Sequence, residues 1–161
     1  MQIRLMEPTD RLAITVLYQK VFSEDPWNEN WTQAEALTQL TQDNIVWWVL
    51  TKDDQIIGFI AGGVTHSAVF QKQFCLHNIQ ATPRLAYLAE LGVSPNYRRQ
   101  GLARKLTNHF CNWCTSQSTE GFAVRTRPGT GNNPWYDQTL NVLHTYPDGR
   151  ILYGYPGVPS L

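Results

Sequence analysis

The sequence of 161 residues has no net charge, few cysteines and no long apolar run. No uninterrupted apolar stretch approaches the roughly 20 residues of a membrane-spanning helix, and the first residues show no signal-peptide pattern. The 13 Lys and Arg residues balance 13 Asp and Glu residues, so charge gives no reason to expect nucleic acid or an anionic membrane as a partner. The 3 cysteines do not form a closed disulfide framework. We therefore expect a cytoplasmic protein with no nucleic-acid partner and no membrane partner.

Motifs of nucleotide sites and metal sites are also missing. The chain contains neither the G-x-x-x-x-G-K-[ST] of a phosphate-binding loop nor the G-x-G-x-x-G of a dinucleotide site. Cys111 and Cys114 form a C-x-x-C pair, but no second pair or H-x-x-x-H follows, although Cys75 and His77 lie upstream. Because the pair falls late in a predicted helix, a redox role is disfavoured. We interpret both cysteines as buried small hydrophobes and expect no metal.

The hydrophobic pattern predicts one α/β domain over residues 1–161, built around a mixed sheet. Period-2 or continuous apolar runs predict strands at residues 2–6, 45–50, 56–66, 85–93, 121–127, 141–146 and 150–155. Residues 67–83 are predicted as a loop with a short helix, and residues 128–135 as a loop rich in Gly, Pro and Asn.

Three longer helices are predicted from period-3.6 patterns and capping residues. They run from a cap at Thr9 or Asp10 to Phe22, over residues 31–41 with a cap at Thr32, and over residues 101–115. The first helix is expected to bury one apolar face, formed by Ala13, Val16, Leu17 and Val21.

The centre of the sequence predicts a strand, a tight turn and a helix start with small residues. The first backbone N–H groups of a helix have no partners inside it, and the helix dipole adds positive charge there, so such an end can bind phosphate. Gly101 and Ala103 leave the backbone accessible, while Arg98, Arg99 and Arg104 can neutralise a diphosphate. Without nucleotide motifs, the diphosphate of coenzyme A fits better than ATP, GTP or a dinucleotide. The alternative is a surface turn with solvated arginines.

Two adjacent stretches in this region carry a family resemblance. Arg98-Arg99-Gln100-Gly101-Leu102-Ala103 resembles the R/Q-x-x-G-x-G/A signature of the GNAT superfamily of N-acetyltransferases, and residues 90–97 resemble the E-L-x-V-x-P-x-Y that precedes it. Pro26-Trp27 ahead of Trp31-Thr32 is similar to a feature of small-amine GNAT enzymes. The resemblance implies a mixed, mostly antiparallel central sheet flanked by helices, with a splayed fourth/fifth strand pair. It also implies transfer of an acetyl group from acetyl-CoA to a primary amine by direct attack in a ternary complex.

The same resemblance assigns the co-substrate acetyl-CoA to backbone groups. Those of Leu91 and Val93 would hold the pantetheine amides, with the Val93 N–H near the acetyl carbonyl oxygen. Gly92 has no side chain where the ligand would approach. The diphosphate would lie against the signature residues Arg98, Arg99, Gln100, Gly101, Leu102, Ala103 and Arg104.

The catalytic side chains implied by the resemblance are Glu90 and Tyr136. Attack needs a neutral amine, so Glu90 is the candidate general base; it is equally a candidate for binding the substrate's positive charge, or an ordinary paired carboxylate. In the family a tyrosine acid follows an asparagine as N-x-x-A-x-x-x-Y, and that spacing is missing here. Tyr136 is the best replacement, with packing or substrate contact as alternatives. Cys111, two turns into its helix, is not a good nucleophile.

The acceptor side is the least determined by the sequence. Trp27 and Trp31 lie between the first two helices, a region that commonly borders the acceptor site in this fold, and packing is their alternative role. A pocket for a small-molecule amine and a groove for a peptide amine are both allowed, as is a homodimer. Because the expected acid is altered, a non-catalytic acyl-CoA-binding or regulatory module on the same fold is the main alternative. An unrelated α/β protein with a chance motif is the third.

Overall fold

The computed structural model describes residues 1–66, 69, 71–72, 74, 84–131 and 133–156. Its strands are β1 (Gln2–Leu5), β2 (Val46–Lys52), β3 (Gln55–Thr65), β4 (Leu85–Val93), β5 (Gly121–Thr126), β6 (Asn141–Thr145) and β7 (Ile151–Pro156). Its α-helices are α1 (Arg11–Phe22), α2 (Gln33–Leu40), α3 (Leu102–Ser116) and α4 (Asn133–Thr139), with short 3-10 turns at Pro8–Asp10 and Pro95–Tyr97. The predicted strands and longer helices are confirmed; residues 67–83 lie mostly outside the described residues.

The strands form one sheet in the order β1-β2-β3-β4-β5-β7-β6. The pairs β1–β2, β2–β3, β5–β7 and β6–β7 are antiparallel, whereas β4–β5 is parallel. The parallel register runs from Leu85↔Gly121 to Leu88↔Val124, and β4 then continues to Val93. The predicted mixed, mostly antiparallel sheet with flanking helices is therefore confirmed. The pairing of β4 with β5 ends at Leu88, five residues before the end of β4, as expected for two strands that splay apart.

The chain divides into two compact units, of which the first comprises Met1–Gly62 and Glu90–Phe110. Its core is a cluster of buried aromatic and aliphatic side chains from α1, α2, β2 and β3, including Tyr18, Phe22, Trp47 and Phe59. The end of β1 is fixed by a two-pronged ion pair in which Arg4 donates from both terminal nitrogens to Asp10, at 2.6 and 2.9 Å. Asp10 also accepts from the Glu7 N–H, so it organises the entry into α1.

The predicted apolar face of α1 is partly wrong. Ala13 and Val16 face solvent, with Val16 58% exposed, while the helix buries Ile14, Leu17, Tyr18, Val21 and Phe22. Both sets satisfy helical spacing. The observed face carries two aromatic rings and therefore removes more apolar area from water, which favours it. Helix α2 starts as predicted, since the Thr32 hydroxyl accepts from the Glu35 N–H and the Glu35 carboxylate accepts from the Thr32 N–H.

The second unit comprises Gly63–Ala89 and Cys111–Leu161. Phe74, Leu85, Ala123 and Leu152 form a buried cluster, and the Tyr146 hydroxyl donates to the Phe74 carbonyl at 3.1 Å. The loop predicted over residues 128–135 ends earlier, because α4 begins at Asn133. Proline is tolerated in the first turn of a helix, so the proline at position 134 does not prevent this start.

Candidate active site

The strand–turn–helix segment predicted at the centre of the sequence is present. After β4, the 3-10 turn Pro95–Tyr97 leads to a turn in which Arg99 and Gly101 have φ values of 62° and 73°. Left-handed backbone at two such positions is unusual and lets the chain reverse into α3. The Gly101 carbonyl accepts from Lys105 N at 3.0 Å, so Gly101 stands at the start of the helix.

The turn leaves open space at Gly101. A β-carbon built on Gly101 would meet no atom of the described residues within 4 Å. The helix that follows is 15 residues long, so its first N–H groups and dipole form an anion-attracting end. The side chains of Arg99, Gln100 and Arg104 are exposed around this end, whereas Leu102 is 7% exposed and anchors the helix in the core. Arg99, Gln100, Gly101 and Arg104 therefore surround one helix end, and the Leu102 side chain belongs to the core.

Arg98 is the exception among the predicted diphosphate residues. Its Nη1 lies 2.6 Å from Oε2 of Glu24, and its Nε donates to the Val93 carbonyl at 3.2 Å. Arg98 therefore joins the end of β4 to the connection between α1 and α2.

The end of β4 is aligned by its bonds to β3. The Ser94 N–H donates to the Ile57 carbonyl at 2.9 Å. Because consecutive backbone groups of a strand point to opposite edges, the N–H groups of Val93 and Leu91 are expected on the edge of β4 that faces away from β3. That edge is the one a ligand amide could pair with.

Packing in the core explains why residue 92 is a glycine. A β-carbon at this position would lie 2.3, 2.7 and 2.9 Å from three carbons of the Phe59 ring. Phe59 is fully buried and its ring stacks on Tyr18, with centroids 5.8 Å apart. The sequence interpretation placed a ligand at the missing side chain, whereas the structure places an aromatic ring of the core there.

Glu90 is half-buried and interacts with Tyr18, a residue that the sequence analysis did not single out. Tyr18 is 1% exposed. Burial, the negative charge of Glu90 and the hydrogen bond that the phenol donates to Glu90 raise the pKa of Tyr18 well above its usual range, and the charge of Glu29 adds to this. Tyr18 therefore stays protonated as a hydrogen-bond donor to the carboxylate.

Trp27 and Trp31 are half-buried at the edge of the same aromatic cluster. Trp27 packs edge-on against Phe22 and Trp31 edge-on against Tyr18, each with centroids 5.4 Å apart. The Trp31 ring nitrogen donates to the Glu29 carboxylate at 2.8 Å. An open groove of about 510 Å³ runs past Trp31 and Glu29, with Gln19, Lys20, Ser23, Asn30 and Thr32 along its sides. Packing is thus established for both tryptophans, and Trp31 also borders open space.

Tyr136 lies in the second unit and is 3% exposed, packed between Trp135 and Tyr153. The helix that carries it is started by the buried Asn133, whose side-chain amide donates to the Arg127 carbonyl at 2.8 Å. When N-x-x-A-x-x-x-Y is laid on Asn133, Tyr136 falls at the alanine position and Leu140 at the tyrosine position. The structure therefore gives Tyr136 a packing role.

The cysteine pair behaves as predicted. Cys111 and Cys114 are free and buried. Burial raises the pKa of Cys111 to about 12 and raises the pKa of Cys114 further, so neither is a thiolate at neutral pH. Cys75 and His77 lie outside the described residues. Within the described ranges, no three His, Cys, Asp or Glu side chains are grouped as metal ligands, and no helix has the length and apolar character to cross a bilayer.

Comparison with known proteins gives one family and many similar folds. The model of the acetyltransferase (GNAT) family matches residues 13–140. No curated protein sequence matches the chain. The ribosomal-protein-S18-alanine N-acetyltransferase of Escherichia coli has a similar structure, with a TM-score of 0.69, 17% identity and coverage of 99% of this chain and 95% of that one.

Two further structures show the same fold. Aminoglycoside 6'-acetyltransferase type Ii has a TM-score of 0.70 and 13% identity, with both chains fully covered at 100%. The PaiA N-acetyltransferase of Thermoplasma acidophilum, solved in complex with coenzyme A, has a TM-score of 0.68 and 12% identity over 97% of this chain and 99% of that one.

Proposed function

Because the chain belongs to the acetyltransferase (GNAT) family, we propose that it moves an acetyl group from acetyl-CoA to a primary amine, by direct attack of the amine in a ternary complex. Residues 1–161 act as one catalytic domain in this proposal. The observation that carries it is the open, left-handed turn at Gly101, placed between β4 and the 15-residue helix α3.

The residues around Gly101 fit the diphosphate of coenzyme A. The backbone N–H groups of residues 99–104 would bind its oxygens, and the exposed Arg99 and Arg104 side chains would balance its charge. Glycine is the residue best suited to position 101 because its φ is positive, and no protein atom of the described residues fills the space beside it. Acetyl-CoA, when bound, supplies an activated thioester.

The edge of β4 would hold the pantetheine arm. Leu91 and Val93 offer backbone groups on the edge away from β3, as the bond from Ser94 to Ile57 implies. The Val93 N–H would donate to the acetyl carbonyl oxygen and stabilise the negative charge that develops there as the amine attacks. Gly92 supports this by leaving room beside the strand for the outer carbons of the Phe59 ring.

Glu90 is the proposed general base. An alkylammonium ion has a pKa near 10 and must lose a proton before it can attack, directly or through a water molecule. The hydrogen bond from Tyr18 favours the charged carboxylate, which is the form that accepts the proton or binds the ammonium ion.

Tyr136 is the proposed donor of the proton that the departing thiolate takes up. The reason is that Tyr136 lies on the helix after β5, where the family has its tyrosine acid. Leu140, which occupies the expected tyrosine position, cannot act as an acid. Tyr136→Phe tests this: a loss of kcat without a change in the melting temperature supports the role. An unchanged kcat assigns Tyr136 to packing alone.

The proposed acceptor is a primary amine on a small molecule or a peptide, bordered by Trp27 and Trp31. Glu29, hydrogen-bonded to Trp31, places a carboxylate beside the groove that would attract an ammonium group, and Lys20 lines the same groove. The structures that share the fold include enzymes named for a ribosomal-protein alanine and for aminoglycosides, so the test must offer both kinds of amine.

The test is a thiol-release assay with acetyl-CoA and a panel of peptide amines, polyamines and aminoglycosides. Release of coenzyme A that depends on one acceptor, and that is lost in Gly101→Glu, supports the proposal. Tight binding of acetyl-CoA without turnover on any acceptor would instead support a non-catalytic acyl-CoA-binding module. Absence of any binding by the wild-type protein would exclude both.

A further inference from the structure

The contacts of Arg98 differ from those of the other arginines in the same turn. Arg98 is 39% exposed at its side chain and pairs with Glu24, which is 37% exposed, through a 2.6 Å contact. Its Nε donates at the same time to the Val93 carbonyl at 3.2 Å. A guanidinium has five donors in a fixed planar fork, so two separate partners set its orientation. The guanidinium group of Arg98 is therefore directed at two groups of the protein itself.

Glu24 begins a tightly bonded turn between α1 and α2. Its carbonyl accepts from the N–H groups of Trp27 and Asn28 at 3.0 and 3.1 Å, and the Glu29 N–H donates to the Phe22 carbonyl at 2.8 Å. The turn carries Trp27 and Glu29, both placed on the acceptor side under the proposed function. Trp27 is bonded directly to Glu24, and Glu29 is bonded to Phe22 at the end of α1, so both lie in the same short turn as Glu24.

The other end of the Arg98 contact is the residue proposed to bind the acetyl carbonyl. The Val93 carbonyl, which accepts from Arg98, belongs to the same residue as the proposed oxyanion donor. One side chain thus joins the strand end, where the acetyl group would react, to the turn that borders the amine.

We propose that Arg98 is a positioning residue that holds the Glu24–Glu29 turn against the end of β4, and that it is not a diphosphate ligand. This inference rests on the proposed function, because it assigns the turn to the acceptor. Arg98 should therefore affect the use of the amine, while Arg99 and Arg104 affect the affinity for coenzyme A.

The experiment compares Arg98→Gln, Glu24→Gln and Arg104→Gln with wild type, and uses Arg11→Gln as the control for loss of an exposed arginine. Coenzyme A affinity is measured by calorimetry, and kcat and KM are measured with the accepted amine. Arg98→Gln and Glu24→Gln should each raise the acceptor KM about two- to fivefold, the size typical of a partly exposed ion pair. The Kd for coenzyme A should stay within about twofold in both, and should rise about tenfold or more in Arg104→Gln.

Two further measurements test whether the effects come from the contact between Arg98 and Glu24. The double variant Glu24→Gln with Arg98→Gln should be no worse than Arg98→Gln alone, since both remove one interaction. Amide hydrogen exchange at residues 27–29 should be faster in both single variants and unchanged in Arg11→Gln.

Two outcomes would overturn the inference. The first is a loss of coenzyme A affinity in Arg98→Gln as large as in Arg104→Gln. The second is unchanged hydrogen exchange at residues 27–29 in both single variants. A wild-type protein that does not bind coenzyme A would refute the proposed function, and the hydrogen-exchange comparison would still decide whether Arg98 holds the turn.

Discussion

Replacing Gly92 with alanine tests the packing between β4 and the aromatic core. A β-carbon at Gly92 would lie 2.3 Å from Cζ of Phe59 and within 2.9 Å of two neighbouring ring carbons. Real carbon atoms do not approach so closely, so either the ring or the strand must move. The Phe59 ring has little room to do so, because it lies 5.8 Å from the Tyr18 centroid and 5.7 Å from the Trp47 centroid.

The expected loss of stability follows from this overpacking. Forcing one extra carbon into a filled core destabilises a protein by about 1–3 kcal/mol, and we expect Gly92→Ala in the upper half of that range because three ring atoms are affected. For a domain of this size, each kcal/mol lowers the melting temperature by about 2–4 °C.

The assay is urea unfolding followed by tryptophan fluorescence, with Gly131→Ala as the control. A β-carbon at Gly131 would meet no atom of the described residues within 4 Å, so this control should change the midpoint little. Phe59→Leu should partly rescue Gly92→Ala, because a smaller side chain leaves space for the new methyl group. If Gly92→Ala unfolds at the same urea concentration as Gly131→Ala, the reasoning about Phe59 is wrong.

Three further predictions concern titratable groups. The hydrogen bond from Arg4 lowers the pKa of Asp10; its stabilisation is present above the unfolded value near 4 and is lost as the pH falls through the lower folded value. Asp10→Asn should therefore lose about 1–2 kcal/mol at pH 7 and progressively less as the pH falls through the folded pKa of Asp10, as measured by urea unfolding. Tyr18→Phe removes the bond donated to Glu90, so the acidic limb of the kcat/KM profile should move to higher pH; an unmoved limb would contradict the base assignment. Burial raises the pKa of Cys111 to about 12, so its peptide should be labelled by a thiol reagent at pH 8 at least about a hundredfold faster in urea than in the native protein, as read by mass spectrometry.

Local patterns were sufficient to predict the positions of the strands along the chain and the strand–turn–helix segment. The alternation of apolar residues and the glycine at position 101 are properties of neighbouring residues, and neighbouring residues determine a strand or a turn. The buried face of α1 could not be chosen in this way, because two sets of residues satisfied the same spacing and only packing against the sheet selects between them.

The contacts that organise the site join residues far apart in the sequence. Arg98 and Glu24 are separated by 74 positions, and Tyr18 reaches Glu90 from a different element. No signal in the sequence pointed to Tyr18, because the predicted buried face of α1 did not include it; once its burial is known, a hydrogen-bond partner for the phenol is expected. The partner itself depends on how the helix packs on the sheet, which no local pattern specifies.

The aromatic contacts in the first unit run from Trp31 through Tyr18 and Phe59 to the backbone of Gly92. This continuity limits how the acceptor range of such a protein can evolve. A substitution of Trp31 or Tyr18 that suits a new amine also changes the support of the strand proposed to hold the acetyl group. Selection for new acceptors should therefore act first on side chains outside this stack, such as the exposed Asn30, which lines the groove.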